Sequence, residues 1–225
     1  MPEISQTADQ TLGVLECVAA HGPITPTELA KRLTMHRPAV HRALATLHAR
    51  GFVRRIAAGY LPGVTCVSIA ERVEAALLAA ARPVLAMLAE RHGETFILTI
   101  PDGNDAVLAA QAVGVDHFVR IQFSPGFRHP LRAGASGRAI LAFSESRDQV
   151  SKALAVELAK IRRQGYAVSH DELSANVHGV SVPIMRDREV VASLGVVMPS
   201  ARAAEAAARA RMLKTAAQGL VKAWR

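Results

Sequence analysis

The stretch Thr34–Gly51, TMHRPAVHRALATLHARG, decides the fold of the N-terminal part of the chain. At 100° per residue its larger apolar side chains cluster on one helical face, while the opposite face centres on small residues and Arg42. Pro38 is typical of the first turn of a helix, and Gly51 is typical of the position just after a helix ends. The pattern predicts a helix over about residues 37–50, with one face anchored and the other free to contact a partner. The inward residues are Val40, Ala43, Leu44 and Leu47.

The outer face of this helix favours nucleic-acid binding. Small alanines permit close approach to a groove, and an arginine can contact either a phosphate or the O6/N7 edge of guanine. Taken alone, the stretch leaves a second interpretation open, a solvated surface helix with ordinary charges. The candidate DNA contacts on it are Arg37, Pro38, His41 and Arg42.

The preceding segment supplies the partner helix of a helix-turn-helix. In ITPTELAKRLTM, Thr25, Pro26 and Glu28 are suited to the N-cap, first helical position and capping-box partner of a short helix. A tight turn separates this helix from the next one, which is typical of DNA-binding helix pairs. A further helix is expected over Thr7–His21, with Thr7 and Gln10 as its start signal.

The segment after Gly51 predicts a wing. FVRRIAAGYLPG reads as two short strands around Ala58-Gly59, with Arg54 and Arg55 on the first strand. Basic residues on a hairpin next to a recognition helix would lie near the phosphate backbone. We therefore expect a winged helix-turn-helix over about residues 5–63.

Length and composition permit two domains. The chain has 225 residues, half of them hydrophobic, and a break in pattern near residue 63 separates the winged helix from the rest of the chain. The formal net charge of +8 is compatible with a polyanionic partner but does not require one. The segment Val64–His92 is Ala-rich and helical, and Pro83 is expected to start a second helix there or to kink a long one. Such a connector is a natural dimerisation surface, although it can instead pack on its own domain.

Several classes of site are not indicated. Cys17 and Cys66 are isolated thiols, and the nine histidines show no metal-ligand spacing, so neither a disulfide framework, a metal nor another cofactor is expected. The longest uninterrupted apolar run, Ala75–Ala81, is far shorter than the roughly 20 residues that span a bilayer. We expect a soluble, cytoplasmic protein without a membrane partner.

Past Gly93 the periodicity changes to that of an α+β domain. Strands are predicted for ETFILTI, DAVLAAQAV and HFVRIQF, with a hairpin turn at residues 102–104 between the first two. Two more strands, SVPIM and VVASLGVVM, meet at residues 186–188. Helices are predicted after Gly134–Gly137, over Arg147–Gln164, and over Ala201–Arg225.

A catalytic function is poorly supported. Ser136 in GASGR is the nearest candidate nucleophile, but a nucleophile elbow requires glycine two residues later, and position 138 is arginine. Asp171 and Glu172 are adjacent, so they would point to different sides and make a poor acid/base pair. We therefore expect a protein that is not an enzyme.

Four segments resemble the IclR family of transcriptional regulators when taken in order. They are TELAKRL with RPAVHRALATLHARGFVRR, then PLRAGASGRAILAF, then IRRQGYAVS, then VSVPIMRDREVVASLGVV. The resemblance covers nearly the whole chain. It implies a winged helix-turn-helix over residues 1–63, a helical linker with a dimerisation role over 64–81, and a GAF-like effector-binding domain over 82–225. It further implies a homodimer or homotetramer on operator DNA. The segments RAGASGRAILAF and VSVPI are similar to those of the family members that control the catabolism of aromatic acids.

The resemblance also implies an effector site. Ala135 and Ser136 fall at the start of a helix, where unpaired N–H groups and the helix dipole favour a carboxylate, and Ser136 adds a hydroxyl donor. By resemblance, the remaining lining residues are Val177, Gly179, Gly195 and Val197, with Ser169 or Asp171 at the polar edge.

This chain departs from the family pattern at three places. Gly195 and Val197 stand where some relatives carry hydroxyls, and Gly179 stands where some carry cysteine, so a more apolar pocket is expected. That favours a carboxylate with a hydrophobic or aromatic body over a small acid such as glyoxylate. The wing is also shorter than usual, which argues against minor-groove contacts from its tip. Two alternatives remain: Gly134–Gly137 only starts a helix, or the regulator binds DNA without a ligand and its second domain only oligomerises.

Overall fold

The computed structural model describes residues 3–124, 126–144, 150–203 and 206–224. Backbone contacts divide the chain into two compact units, Met1–Ala75 and Ala76–Arg225. Each unit has its own hydrophobic core.

The N-terminal unit is a winged helix-turn-helix, as the sequence predicted. Its elements are α1 Gln6–His21, α2 Pro26–Arg32, α3 Arg37–Ala49, β1 Val53–Ile56, β2 Gly59–Pro62 and α4 Thr65–Ala70. The two strands pair antiparallel, and the isolated bridge between Ile24 and Tyr60 ties this hairpin to the chain just before α2. The core is formed chiefly by Val14, Val18, Leu29, Val40, Leu44, Leu47 and Val53.

Local sequence signals determine where α2 and α3 begin and end. The Thr25 side chain accepts from the Glu28 N–H at 3.3 Å, and the Glu28 carboxylate accepts from the Thr25 N–H at 2.9 Å, which confirms the capping box. Hydrogen bonds from Thr25 also lower the pKa of Glu28. Helix α3 ends just before Gly51, whose φ of +74° suits glycine.

The start of α1 differs from the prediction. The helix begins at Gln6 with Ser5 at the N-cap, so Thr7 lies inside the first turn and cannot cap it. The buried face consists of Val14, Cys17 and Val18, whereas Leu12 is 58% exposed. Threonine and glutamine at the right spacing were a chance match to the capping pattern.

The C-terminal unit is a six-stranded antiparallel sheet with helices on both faces. In chain order its elements are α5 Ala75–His92, β3 Thr95–Asp102, β4 Asp105–Val113, β5 Arg128–Pro130, α6 Gly134–Leu141, α7 Lys152–Gln164, β6 Ala167–His170, β7 Val177–Arg186, β8 Glu189–Pro199, a 3₁₀ turn Ser200–Arg202 and α8 Ala206–Ala223. The strand order is β5-β4-β3-β8-β7-β6.

Strand alternation separates the two faces of this sheet. Phe96, Leu98, Val180, Leu194 and Val196 pack with α5 and α8 into the larger core. The residues between them face the other side, where α6 and α7 form a second core. The two faces therefore have different roles, one closed by long helices and one partly open.

Pairing register places the polar and small residues of the second face in rows across the strands. Gly179 pairs with Val197 on β8 and with Ser169 on β6, and Val197 also pairs with Thr95 on β3. Two residues further along, Gly195 pairs with both Ile97 and Ser181. Because each row crosses three or four strands, residues far apart in sequence become neighbours here.

The predicted strand HFVRIQF, residues 117–123, is wrong. These residues form an irregular connection whose backbone is held by side chains of the sheet: Thr95 Oγ1 donates to the Ile121 carbonyl, and the Gln111 amide donates to the Phe123 carbonyl at 2.6 Å. The free edge of β4 is instead taken by β5 and by Phe127, whose carbonyl accepts from the Leu108 N–H. An apolar run without an available strand edge does not become a strand.

Three predicted helix boundaries also shift. Pro83 lies inside α5, so it does not start a second helix; the helical segment is interrupted instead at residues 71–74, where Glu74 has φ of +45°. Helix α7 begins at Lys152, capped by the Ser151 hydroxyl, and the predicted start at Arg147 lies outside the described residues. Helix α8 starts at Ala206, after the 3₁₀ turn, rather than at residue 201.

Candidate functional site

The outer face of α3 has the composition that the sequence predicted. All four candidate residues on it are exposed, while the apolar residues of the opposite face are buried in the N-terminal core. Within the part of the chain that the structure describes, no salt bridge engages Arg37 or Arg42. The exposed set is Arg37, Pro38, His41 and Arg42.

The wing presents two further arginines. Arg54 and Arg55 are both exposed on β1, where they pair with Leu61 and Tyr60. Consecutive strand residues point to opposite faces, so the two side chains leave the hairpin on different sides. The connection between the strands is only residues 57–58, which agrees with the short wing expected from the sequence.

The C-terminal unit contains a cavity between the second face of the sheet and α6. Its volume is about 500 Å³, including the part that is open to solvent. The lining residues are Ile97, Thr99, Leu108, Phe123, Phe127, His129, Ala135, Ser136, Ser169, Glu172, Leu173, Val177, Gly179, Ser181 and Val197.

Six of the eight predicted effector residues line this cavity: Ala135, Ser136, Ser169, Val177, Gly179 and Val197. Gly195 does not line it, because the Ser181 hydroxyl lies over it, and a Cβ at position 195 would collide with Ser181 Oγ. Asp171 also lies outside the lining; it is exposed and accepts a hydrogen bond from Ser200 at 3.2 Å.

The expectation of a more apolar pocket than in relatives stays a prediction. Positions 195 and 197 carry no hydroxyl, and the hydroxyl side chains that β3 and β7 bring to the cavity lining are Thr99 and Ser181. The walls remain apolar where Ile97, Leu108 and Val197 pack with the aromatic side chains. Alternation along single strands could have identified Ser181, but Thr99 becomes a neighbour only through the register.

His129 is a site residue that the sequence analysis missed. Strand β5 carries it, and β5 is held at the edge by ion pairs from Arg128 to Asp102 at 2.7 Å and to Asp105 at 3.2 Å. The His129 ring is buried and packs near Phe127, and this burial lowers the pKa of the imidazole. His129 is therefore neutral near pH 7.

The hydrogen bonds of His129 determine what Ser136 offers to a ligand. His129 Nδ1 lies 3.2 Å from the Pro130 carbonyl, which can only accept, so the neutral ring carries its hydrogen on Nδ1. His129 Nε2 then accepts from Ser136 Oγ at 3.1 Å. With its hydrogen committed to His129, Ser136 presents lone pairs to the cavity, in contrast to the donor role expected from the sequence.

The N-terminus of α6 already holds a carboxylate of the protein. The Gly134 N–H donates to Glu172 Oε2 at 3.0 Å, and Arg138 contacts the other carboxylate oxygen of Glu172. Arg138 also pairs with Glu157 at 3.1 Å. From the sequence, Glu172 was considered only as half of an acid pair with Asp171, because its contact with Gly134 spans a sequence separation of 38 residues.

The arrangement does not resemble a hydrolase. Ser136 and His129 are within hydrogen-bond distance, but the second ring nitrogen of His129 faces a backbone carbonyl instead of a carboxylate. Among the described residues, no three His, Cys, Asp or Glu side chains form a group that could hold a metal ion. Of the described helices, none combines the length and the apolar composition that a membrane span requires.

An exposed basic winged helix-turn-helix followed by a second domain with its own core is the arrangement of a DNA-binding transcriptional regulator. Two family profiles match the chain: the IclR helix-turn-helix domain over residues 7–57, and the bacterial transcriptional regulator IclR C-terminal domain over residues 69–155 and 148–221. The chain therefore belongs to the IclR family of transcriptional regulators. Members of this family are regulators and not enzymes.

Individual relatives agree with this assignment. The chain is 31% identical to the HTH-type transcriptional regulator BhcR of Paracoccus denitrificans over 88% of this chain and 79% of that protein. Its fold is similar to an IclR transcriptional regulator from Alicyclobacillus acidocaldarius, with a TM-score of 0.81, 23% identity and coverage of 99% and 100%. It is also similar to an IclR homologue from Microbacterium hydrocarbonoxydans, solved in complex with 4-hydroxybenzoate, with a TM-score of 0.80, 22% identity and coverage of 98% and 99%.

Proposed function

We propose that this regulator reads its operator with the exposed face of α3. Arg37 and Arg42 are positioned on a helix whose other face is fixed in the core, so their side chains are directed outward by the fold. Arg42 is proposed to contact a guanine edge, and His41 and Pro38 to lie against the groove and backbone. Since the proposed operator is bacterial DNA, we propose that the protein acts in the cytoplasm.

The wing is proposed to contact phosphates. Since Arg54 and Arg55 leave β1 on opposite sides, only one of them can face the strand of DNA beside α3, while the other reaches the backbone from its flank or remains in solvent. This asymmetry supports a role in general affinity and not in base recognition.

We propose that the C-terminal cavity binds a small organic carboxylate with a hydrophobic or aromatic body. The main observation that supports this is the lining of the cavity, which combines the N-terminus of α6 with apolar side chains elsewhere. The first N–H groups of a helix have no intrahelical partner, so those of Ala135 and Ser136 are suited to an anion. The Microbacterium relative, solved with 4-hydroxybenzoate, gives independent support for an acid of this kind.

The mobile parts of the wall and its hydroxyls refine this proposal. Four lining residues come from connecting segments and not from strands or helices, so they can move most easily to admit an aromatic ring: Phe123, Phe127, Glu172 and Leu173. Ser181 lies one row beyond Gly179, about 7 Å along the strand. This spacing favours an acid that carries a second polar group at the end opposite its carboxylate.

We propose that the functional unit is at least a dimer formed through the segment around α4. Helix α4 buries none of its residues, and four large apolar side chains there are about half exposed or more. Contiguous exposed apolar surface of this kind usually marks an interface. These residues are Val64, Val67, Ile69 and Val73. Sedimentation of the wild type and of Val67→Asp tests the interface, with Val156→Asp on α7, where the valine is also exposed, as the control.

One experiment tests operator and effector binding together. A labelled fragment of the DNA upstream of the protein's own operon is titrated in a gel shift with and without benzoate, 4-hydroxybenzoate, pyruvate and glyoxylate. Calorimetry of the full chain measures the binding of each acid directly. We expect an aromatic acid to bind and to change the midpoint of the DNA titration. DNA binding without any response to the acids would instead favour a second domain that only oligomerises.

A further inference from the structure

The anion position of the cavity, the N-terminus of α6 where the effector carboxylate is proposed to bind, is already occupied by a carboxylate of the protein. The carboxylate of Glu172 lies at the N-terminus of α6, where Oε2 accepts from the Gly134 N–H at 3.0 Å. Glu172 also lines the cavity, beside Ala135 and Ser136. A helix N-terminus attracts one negative group strongly, and here the protein supplies that group itself.

The surrounding charges leave little attraction for a second anion. Arg138 is the cation that balances Glu172, and its side chain is only 10% exposed. The same guanidinium pairs with Glu157 at 3.1 Å and donates to the Val168 carbonyl at 3.1 Å. One arginine thus serves two carboxylates, so an effector carboxylate next to Glu172 would meet a like charge that the arginine does not fully neutralise.

Glu172 belongs to a short segment that covers the cavity. Residues 171–176 join β6 to β7, and both end residues, Asp171 and Asn176, have positive φ. Leu173 of this segment lines the cavity and lies against Gly134, where its Cδ1 would be 2.8 Å from an added Cβ. Glu172 and Leu173 therefore hold the segment against the start of α6, one by charge and the other by packing.

We infer that Glu172 is a specificity-determining residue that occupies the anion position until an effector carboxylate displaces it. The inference rests on the proposed binding of a carboxylate in this cavity. A small acid gains only the contacts that Glu172 already makes and cannot compete, whereas an acid with an apolar body gains the contacts of the walls as well. Displacement of Glu172 also detaches residues 171–176 from α6. Effector binding is therefore accompanied by a movement of this segment, which can be measured.

The first test compares Glu172→Gln with Glu157→Gln by calorimetry on the full chain. Both changes remove one carboxylate from Arg138, but Glu157 does not line the cavity. Benzoate and 4-hydroxybenzoate are the probes, and benzamide and 4-hydroxybenzamide are their neutral controls. We expect Glu172→Gln to tighten binding of the acids about tenfold, the order expected when one like charge is removed from a partly exposed site. Glu157→Gln should leave the acids within about twofold, and neither variant should tighten the amides.

The outcomes separate this inference from the proposed function. If the acids bind the wild type and Glu172→Gln binds them equally or more weakly, Glu172 supports the pocket and does not compete for it. If both acids and amides tighten alike, Glu172 acts through shape and not through charge, which also overturns the inference. If no acid binds either protein, the proposed carboxylate site itself is wrong.

A second measurement uses only the wild type, so it does not depend on the folding of a variant. Hydrogen exchange of peptides covering residues 171–176 is followed with and without saturating benzoate or 4-hydroxybenzoate. Displacement predicts faster exchange in this segment with the acid, and Glu172→Gln should show that faster exchange without any ligand. Slower exchange on binding would mean that the segment closes over the effector with Glu172 in place, and it would overturn displacement.

Discussion

The two units carry their functional side chains in opposite ways. In the N-terminal unit, the arginines of α3 and β1 are exposed, and no salt bridge engages them among the described residues. In the C-terminal unit, the polar groups around the cavity contact one another, and most of them are buried: Ser136 pairs with His129, and the exposed Glu172 pairs with Arg138 and Gly134. The proposed DNA face is thus free of these contacts, whereas the proposed effector pocket already contains a carboxylate of the protein itself.

This difference has an energetic consequence. An exposed arginine breaks no protein contact when DNA binds, and by neutralising a phosphate it releases counterions that were condensed on the DNA. A buried pocket must exchange protein hydrogen bonds for ligand hydrogen bonds, so its affinity depends on a small difference between two sets of contacts. Substitutions in the pocket should therefore have large effects, and single substitutions on the DNA face should have moderate ones.

The largest effect is expected from Ser136→Asp. The new carboxylate would stand at the start of α6 next to Glu172, so two negative groups would occupy the position proposed for the effector. We expect carboxylate binding to weaken at least about a hundredfold, since like charges a few ångström apart in a partly dry site repel by several kcal/mol. Calorimetry with benzoate and 4-hydroxybenzoate measures the loss.

A matched control shows whether this loss is local. Ser151 also stands at a helix start, where its hydroxyl accepts from the Leu154 N–H at 3.2 Å, and aspartate can replace it as the N-cap of α7. Ser151→Asp should bind the acids like the wild type. Unchanged binding by Ser136→Asp, with the protein folded, would show that the effector binds elsewhere.

The second prediction concerns Arg42. If this side chain reads a guanine through two hydrogen bonds, Arg42→Ala loses roughly 1 to 3 kcal/mol of discrimination at one base pair. Gel shifts against the operator and against operators substituted at each position measure this directly. The preference should be relaxed at one position in each half-site. An unchanged preferred sequence and affinity would remove Arg42 from the interface.

The third and smaller effect is expected from Arg55. A phosphate contact weakens binding to every sequence alike and reduces the slope of log affinity against log salt by about one unit. Arg55→Ala should therefore lower affinity a few-fold without altering sequence preference. Arg163→Ala, which removes an equally exposed arginine from α7, is the control for net charge. A salt slope equal to that of the wild type would assign Arg55 to solvent and leave Arg54 as the wing contact.

The sequence predicted the N-terminal unit well because its signals are local. The capping box of Thr25 and Glu28, Pro38 in the first turn of α3 and Gly51 after its end each act within four residues. The prediction failed at the start of α1, where Ser5 is the N-cap although its side chain makes no capping hydrogen bond, and the spacing of Thr7 and Gln10 was a chance match. The exposure of the DNA-facing residues follows directly from helical periodicity.

The pocket was predicted only in part because its contacts are distant in sequence. Ala135 and Ser136 are recognisable as a helix start, and alternation in β7 and β8 brings Val177, Gly179 and Val197 to one face. Thr99, His129 and Glu172 become part of the site only through strand register and loop packing, which no short motif encodes. The same non-local packing explains why Gly195 is covered by Ser181.

The smallest effect is the response of the C-terminal unit to acid. Burial lowers the pKa values of His129 and His178 below the ordinary value of about 6.5, and the neighbouring His170 lowers that of His178 further. The unfolded chain therefore binds more protons than the folded one as pH falls below about 6.5, so the free energy of unfolding should decrease there and be nearly constant above it.

Trp224 is the only tryptophan, and its fluorescence during urea unfolding follows this unit alone. His129→Gln, which keeps a polar group beside Ser136, should reduce the decrease between pH 6.5 and 5.5. If the free energy of unfolding stayed constant over that range, protonation of His129 and His178 would not destabilise the folded unit. Burial of polar groups around the cavity would then have no effect on the response to acid.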